Sequence, residues 1–198
     1  MNTRDQPEDA QGRQVRRLKP VTAKSLENAA KYYLERFAAS TDKLRAVLTR
    51  KVERTRRRGG TVLENAAQAI EAIVGRYVQA GLLDDRRYAE MKAQSLRRRG
   101  DSARRVRLKL KMAGIDDDGA AAALAQAADE TGDDSKASEL RAALRLAERR
   151  RLGPYRAKAM RKDMRQRDIA AMARAGFSSD VARRVIDAVE PQSLLEDD

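Results

Sequence analysis

Apolar residues recur along this chain every three to four positions, and no stretch alternates apolar and polar over the length of a strand. That period places side chains on one face of an α-helix. Leu26, Ala29, Ala30, Tyr33, Leu34 and Phe37 form a first stripe, with Thr22 or Ser25 as its cap. Leu44, Val47, Leu48 and Val52 follow Ser40 or Thr41, and Leu63, Ala66, Ala67, Ile70, Ile73, Val74 and Tyr77 make a third helix that stops at Gly81. Asp84-Asp85 starts a fourth through Tyr88, Met91 and Leu96. Gly100 breaks it, and Asp101 or Ser102 starts a fifth carrying Ala103, Val106, Leu110 and Ala113. Asp116 starts a sixth, almost entirely alanine. After Thr131 to Asp134 comes a seventh, with Ala137, Leu140, Leu144 and Ala147, stopping at Gly153-Pro154. An eighth runs to Gly176, with Asp168 marking a candidate bend, and Ser178 or Ser179 caps a ninth through Val181, Val185, Ile186 and Val189.

Nine helices in threes predict an internal repeat, and an offset of about 62 residues reveals it. Arg105, Ala113, Gly114 and Asp118 fall on Arg167, Ala175, Gly176 and Asp180; Ile115 falls on Phe177 and Leu124 on Ile186. The same offset carries Leu44 and Leu48 to Val106 and Leu110. The expected fold is therefore all-α, three tandem three-helix repeats in an elongated, curved array. The expected divisions are a disordered polar tail over 1–21, repeats over 22–83, 84–132 and 133–190, and an acidic tail over 191–198. Units this small bury little surface alone and lean on their neighbours. The alanine-rich middle unit is expected to be the weakest.

Composition excludes several chemistries. The chain has neither cysteine nor histidine, so thiolate nucleophiles, disulfides, imidazole bases and zinc sites built on them are absent. Apolar runs are far shorter than the roughly 20 residues of a membrane span. The opening MNTRDQPEDAQG lacks the apolar core of a secretory signal, so a cytoplasmic protein is expected. Asp84-Asp85 and Asp116 to Asp118 stand at helix starts, where a capping role outweighs a Mg²⁺ site. Arg58-Gly59-Gly60-Thr61 lacks the spacing of a phosphate loop and reads as a flexible linker. Tyr33 and Tyr88 lie on apolar stripes and Tyr32 is the freer of the three, but the chain has no tryptophan and its tyrosines make a weak stacking platform for single strands. No catalytic constellation and no cofactor site emerges, so the chain is read as a binding protein.

Charge identifies the class of partner. The net charge is +13, and the basic residues come in blocks nearly free of acids. Residues 86–111 hold eleven basic and two acidic side chains, and 141–167 hold the same. A merely solvated helix face mixes signs to gain i,i+4 pairs. Single-signed blocks call for a polyanion or an acidic surface. The candidate contacts are Arg97, Arg98, Arg99, Arg104, Arg105, Arg107, Lys109, Arg149, Arg150, Arg151, Arg161 and Lys162.

Four stretches carry a family resemblance over residues 25–190. Arg36-Phe37-Ala38-Ala39-Ser40-Thr41-Asp42-Lys43-Leu44-Arg45 matches an Arg, Ser, Asp-x-Leu-Arg pattern. Gly81-Leu82-Leu83-Asp84-Asp85-Arg86-Arg87-Tyr88-Ala89 matches Gly-aromatic-Leu-Asp-Asp-x-x-aromatic-Ala, with Leu82 in place of the aromatic. Leu110 to Ile115 and Met172 to Phe177 match the repeat endings Leu-x-x-x-Gly-Ile and Leu-x-x-x-Gly-Phe, Met172 replacing leucine. The ordered set resembles the bacterial RecX family. That resemblance implies a non-enzymatic regulator of DNA repair, recombination and the SOS response. Its partners would be RecA and the RecA–single-stranded DNA filament, whose ATPase, strand exchange and coprotease activities it restrains. It also implies a cytoplasmic monomer with no cofactor and no membrane association. The alternative is a basic helical protein that binds DNA or RNA directly, as nucleoid and helix-turn-helix proteins do.

Overall fold

The structure is a computed structural model that describes residues 19–191 and 193–195. Most of the two predicted tails, residues 1–18, 192 and 196–198, lies outside the described residues. Among the described residues the chain forms α1 (Ala23–Leu34), α2 (Thr41–Arg57), α3 (Ala66–Gln79), α4 (Asp85–Arg98), α5 (Ala103–Lys111), α6 (Asp117–Asp129), α7 (Ser135–Arg150), α8 (Arg161–Arg174) and α9 (Ser179–Ile186), with no strand. Two compact units divide between Leu83 and Asp84. The first holds α1–α3 and the second holds α4–α9.

Capping explains where the helices start. Thr22, Ser40, Asp84, Ser102, Asp116, Asp134 and Ser178 each accept a hydrogen bond from a backbone N–H three residues on. Each satisfies a donor that the first turn leaves unpaired. Asp84, Asp116 and Asp134 are thereby committed to structure. Asp101, the other candidate start for α5, has a different role described below.

The first unit closes around Leu26, Leu44, Leu48, Ile70, Ile73, Val74 and Tyr77. Val21, read from sequence as the end of a disordered tail, is buried in this core. Its N–H donates to Thr61 O and its carbonyl accepts from Leu63 N–H, at 2.9 and 3.0 Å. Residues 60–63 are thus tied down, and Arg56 and Arg57 belong to the last turn of α2. The expected flexible linker there is not observed. Leu63 precedes α3 and pairs with Val21 instead of opening the helix. Phe37 lies beyond the end of α1, exposed, with its ring 5.2 Å from that of Tyr33. Tyr77 donates to Glu27 at 2.8 Å; burial, reinforced by that carboxylate, pushes its hydroxyl up to about 12.

The second unit contains two repeats in register. Val106, Leu110, Ala113 and Ile115 are buried, and so are Asp168, Met172, Ala175 and Phe177, each 62 residues later. Asp168 therefore occupies a core position rather than a bend, and α8 runs through it unbroken. Its carboxylate accepts Gly153 N–H at 2.9 Å and two bonds from Arg156 at 2.8 and 3.1 Å. This fixes the two short 3₁₀ turns, Gly153–Tyr155 and Lys158–Met160, that lead into α8. In the middle repeat Ala120, Ala123 and Ala127 of α6 join Ala89 and Ala93 of α4 in one core. Small residues on both helices give that repeat a core of backbone-close contacts rather than long side chains. At the far end α9 stops at Ile186, and Val189, expected on its apolar face, is 86% exposed.

These two repeats are locked together. α7 buries Ala142 and Leu146 in addition to the predicted Leu140, Leu144 and Ala147. Gly100, with φ +81°, faces this helix. A Cβ there would lie 2.7 Å from Leu146 N and 2.8 Å from Ala142 O. Ser102 Oγ donates to Ala175 O at 2.7 Å, beneath Gly176 at φ +94°, where a Cβ would meet that same Oγ at 2.6 Å. Gly100→Ala combines a left-handed backbone with a backbone clash, and is expected to cost about 2–4 kcal/mol. Urea unfolding of the variant measures this.

Asp133, beside the cap of α7, takes two hydrogen bonds from Arg141 at 2.7 and 2.8 Å. Those bonds hold its carboxyl below the usual carboxylate range, against the opposing effect of burial. The stabilisation is complete above the unfolded pKa of about 3.9 and is lost as pH falls through the lower folded value. Asp133→Asn is expected to be less stable than the wild type at pH 6. That gap should shrink steadily below about pH 4, as followed by denaturant titrations at several pH values.

Candidate partner-binding surface

The basic residues sort by what the fold does with them. Arg97 is an interior residue, its side chain 8% exposed. It donates to Asp101 O at 3.0 Å, to Glu139 at 2.6 Å and to Ser138 at 3.0 Å. Glu139 also accepts Ala103 N–H at 3.0 Å, so the pair stitches α7 to the start of α5. Arg161 is likewise occupied, donating to the carbonyls of Pro154 and Arg156. Asp101 engages Lys109 at 2.6 Å and Arg105 at 3.4 Å. Arg97 and Arg161 are thus structural, and Arg105 and Lys109 are half-neutralised.

The remainder is exposed. Arg149, Arg150 and Arg151 project at the end of α7, where Arg151 takes a left-handed conformation, and Lys162 projects from α8. Arg99 projects at the end of α4. Arg98 faces a hollow with Arg141 and Arg145 between α4 and α7. Arg104 and Arg107 lie on α5, on the far side from Val106 and Leu110. The residues on the two sides of Gly100 are shared among several hollows: Arg98 lines one, Arg104 another, and Arg97 and Arg107 meet in a third.

What does form is a groove of about 550 Å³ between α5 and the end of α8. Arg104, Arg105, Arg107 and Lys111 line it from α5, and Arg174 lines it from α8. Leu108, 58% exposed, lies among these cations, and Met112, 79% exposed, follows on α5's end. Positions 104, 108 and 111 share a helical face. Asp117 at the rim is the acid in the lining. Lys111, Arg174 and Leu108 were not among the sequence candidates. The 3.6-residue period places Leu108 opposite the buried stripe, a signal available in the sequence alone. Arg174 reaches the groove only through the Ser102–Ala175 closure, which no local pattern announces. Charged walls around apolar anchors suit an acidic protein surface with its own apolar spot.

Comparison with known proteins places this fold. A family model described as the second three-helix domain of RecX matches residues 84–124, from the cap of α4 into α6. "Regulatory protein RecX" of Myxococcus xanthus is 40% identical over 183 residues, covering 92% of this chain and 95% of that protein. The chain belongs to the RecX family. "Regulatory protein RecX" of Agrobacterium fabrum is 30% identical over 86% of this chain and 87% of its own length. The crystal structure of RecX from Lactobacillus salivarius shares the fold at 18% identity, with a TM-score of 0.54 over 88% of this chain and 96% of that one. A second RecX crystal structure, 19% identical, gives 0.51 over 83% and 72%. The family carries a regulatory role. Among the described residues, no helix is long and apolar enough to cross a membrane.

Arg97 separates folding from binding within this RecX-family surface. Arg97→Ala empties a buried site and leaves the partly buried Glu139 with only its bond from Ala103 N–H, and is expected to cost about 3 kcal/mol. Thermal and chemical denaturation should both register that loss. An Arg97→Ala variant of wild-type stability would return Arg97 to the binding candidates.

Proposed function

We propose that this RecX-family chain binds the RecA–DNA filament as a cytoplasmic monomer. It restrains RecA ATPase, strand exchange and coprotease activity without catalysing a reaction, and so tempers repair and the SOS response. The observation that supports this reading is the α5–α8 groove, with four cations on one helix and an exposed leucine among them. Free nucleic acid would use the charge and leave Leu108 and Met112 in water. A protein surface uses both, and a regulator of a nucleoprotein filament needs both.

The reading assigns most of the discriminating energy to groove residues that become desolvated. Arg104→Glu, Arg107→Glu and Lys111→Glu together are expected to weaken inhibition of RecA ATPase by about tenfold or more. The comparison is Lys136→Glu, Lys158→Glu and Arg183→Glu, the same charge change on exposed positions away from the groove. Circular dichroism verifies folding of both. Equal losses would mean that net charge alone acts and that the groove is not the contact.

A further inference from the structure

The first unit carries a second basic groove that the filament-regulating role leaves unassigned. It lies between α1 and α2 and measures about 900 Å³. Arg50, Arg54 and Arg57 line it from α2, with Val47 continuing the same face; Tyr32 and Tyr33 line it from α1. No carboxylate is among its lining residues. Glu53 of α2 is exposed and lies outside the lining; the other acids of these helices point to other work. Glu27 engages Arg76 and Tyr77, Asp42 engages Arg45, and Glu35 lies beside Arg36. Among the described residues Arg50, Arg54 and Arg57 form no ion pair with a carboxylate.

We infer that this groove is a binding site for single-stranded nucleic acid, with Arg50, Arg54 and Arg57 on successive phosphates and Tyr32 under a base. Spacing is the first argument. Positions 50, 54 and 57 spread three guanidinium groups over about 10 Å of helix axis. A row of that length follows a chain of phosphates rather than clasping one anion. The second argument is aromatic. Tyr32 is 61% exposed, and the Arg36 guanidinium stands 3.6 Å from its ring centroid. A tyrosine braced by a cation is a stacking platform that accepts any base. An acidic peptide would satisfy the arginines but has no use for that ring. A duplex keeps its bases stacked inside and cannot reach it.

The inference deepens the proposed function by giving the nucleic-acid part of a nucleoprotein target to the first unit. Its test omits RecA, so the two readings fail separately. The full chain is titrated into a fluorescently labelled 20-mer of oligothymidylate, between 50 and 200 mM KCl, and anisotropy is read. Arg54→Gln with Arg57→Gln is expected to reduce the salt dependence, log K against log salt, by about 1.4. Lys136→Gln with Lys158→Gln, neutralising two exposed lysines of the second unit, should leave the slope near that of the wild type. Tyr32→Ala is expected to weaken binding about fivefold or more at fixed salt, and Tyr32→Phe to retain it. On a duplex of the same length Tyr32→Ala should change nothing. The site is overturned if the wild type does not bind the oligonucleotide at 50 mM KCl, or if the two double variants lose the same slope. It is also overturned if Tyr32→Ala binds as the wild type does, or if polyglutamate competes as well as unlabelled oligonucleotide.

Discussion

The second unit rests on the approach of backbone to backbone at Gly100. Without a Cβ there, the turn between α4 and α5 sits against Ala142 and Leu146 of α7. The other links follow from that contact. Arg97 reaches Glu139 and Ser138, and Ser102 reaches the carbonyl of Ala175. A three-helix repeat buries a smaller share of its surface than a larger domain does. In the second unit, burial is increased by fusing two repeats through a polar and sterically exacting joint. Such joints tolerate little change, because each member closes the valence of another buried group.

The same joint builds the surface. The groove exists because the start of α5 is held against the end of α8. Its cations therefore come from two repeats, and its shape is set by the bond of Ser102 to Ala175 beneath Gly176. Charge in this molecule is divided by depth. Arg97, Arg156 and Arg161 are consumed by the interior, while Arg104, Arg107, Lys111 and Arg174 remain in solvent. Like residues a few positions apart thus hold opposite roles.

Much of the fold was legible because helix periodicity and caps are local signals. Leu26, Leu44, Leu48, Val106 and Leu110 fell on their stripes, and Thr22, Ser40, Asp84, Asp116 and Ser178 stood at the helix starts where expected. The errors share one cause. Phe37 and Val189 continue an apolar period past the point where the helix has ended, and Val21 is buried only because it pairs with a loop 40 residues away. Leu146 and Ala142 lie off the main stripe of α7 because they serve a neighbouring repeat. The candidate site was legible as charge and not as geometry. A run of arginines shows no difference between Arg97, which has a buried partner 42 residues on, and Arg98, which is exposed.

The serine that joins the second repeat to the third also gives that pair a direction. Ser102 starts α5 and donates forward to the turn that follows α8. At the corresponding place in the third repeat, 62 residues on, stands Met164, inside α8 rather than at its start. The last repeat accepts such a bond but carries methionine, not a hydroxyl, at the equivalent position. A further module copied from this sequence and appended after α9 would find no forward donor at its seam. The Ser102 seam thus belongs to this pair of repeats, and copying the repeat does not copy the seam.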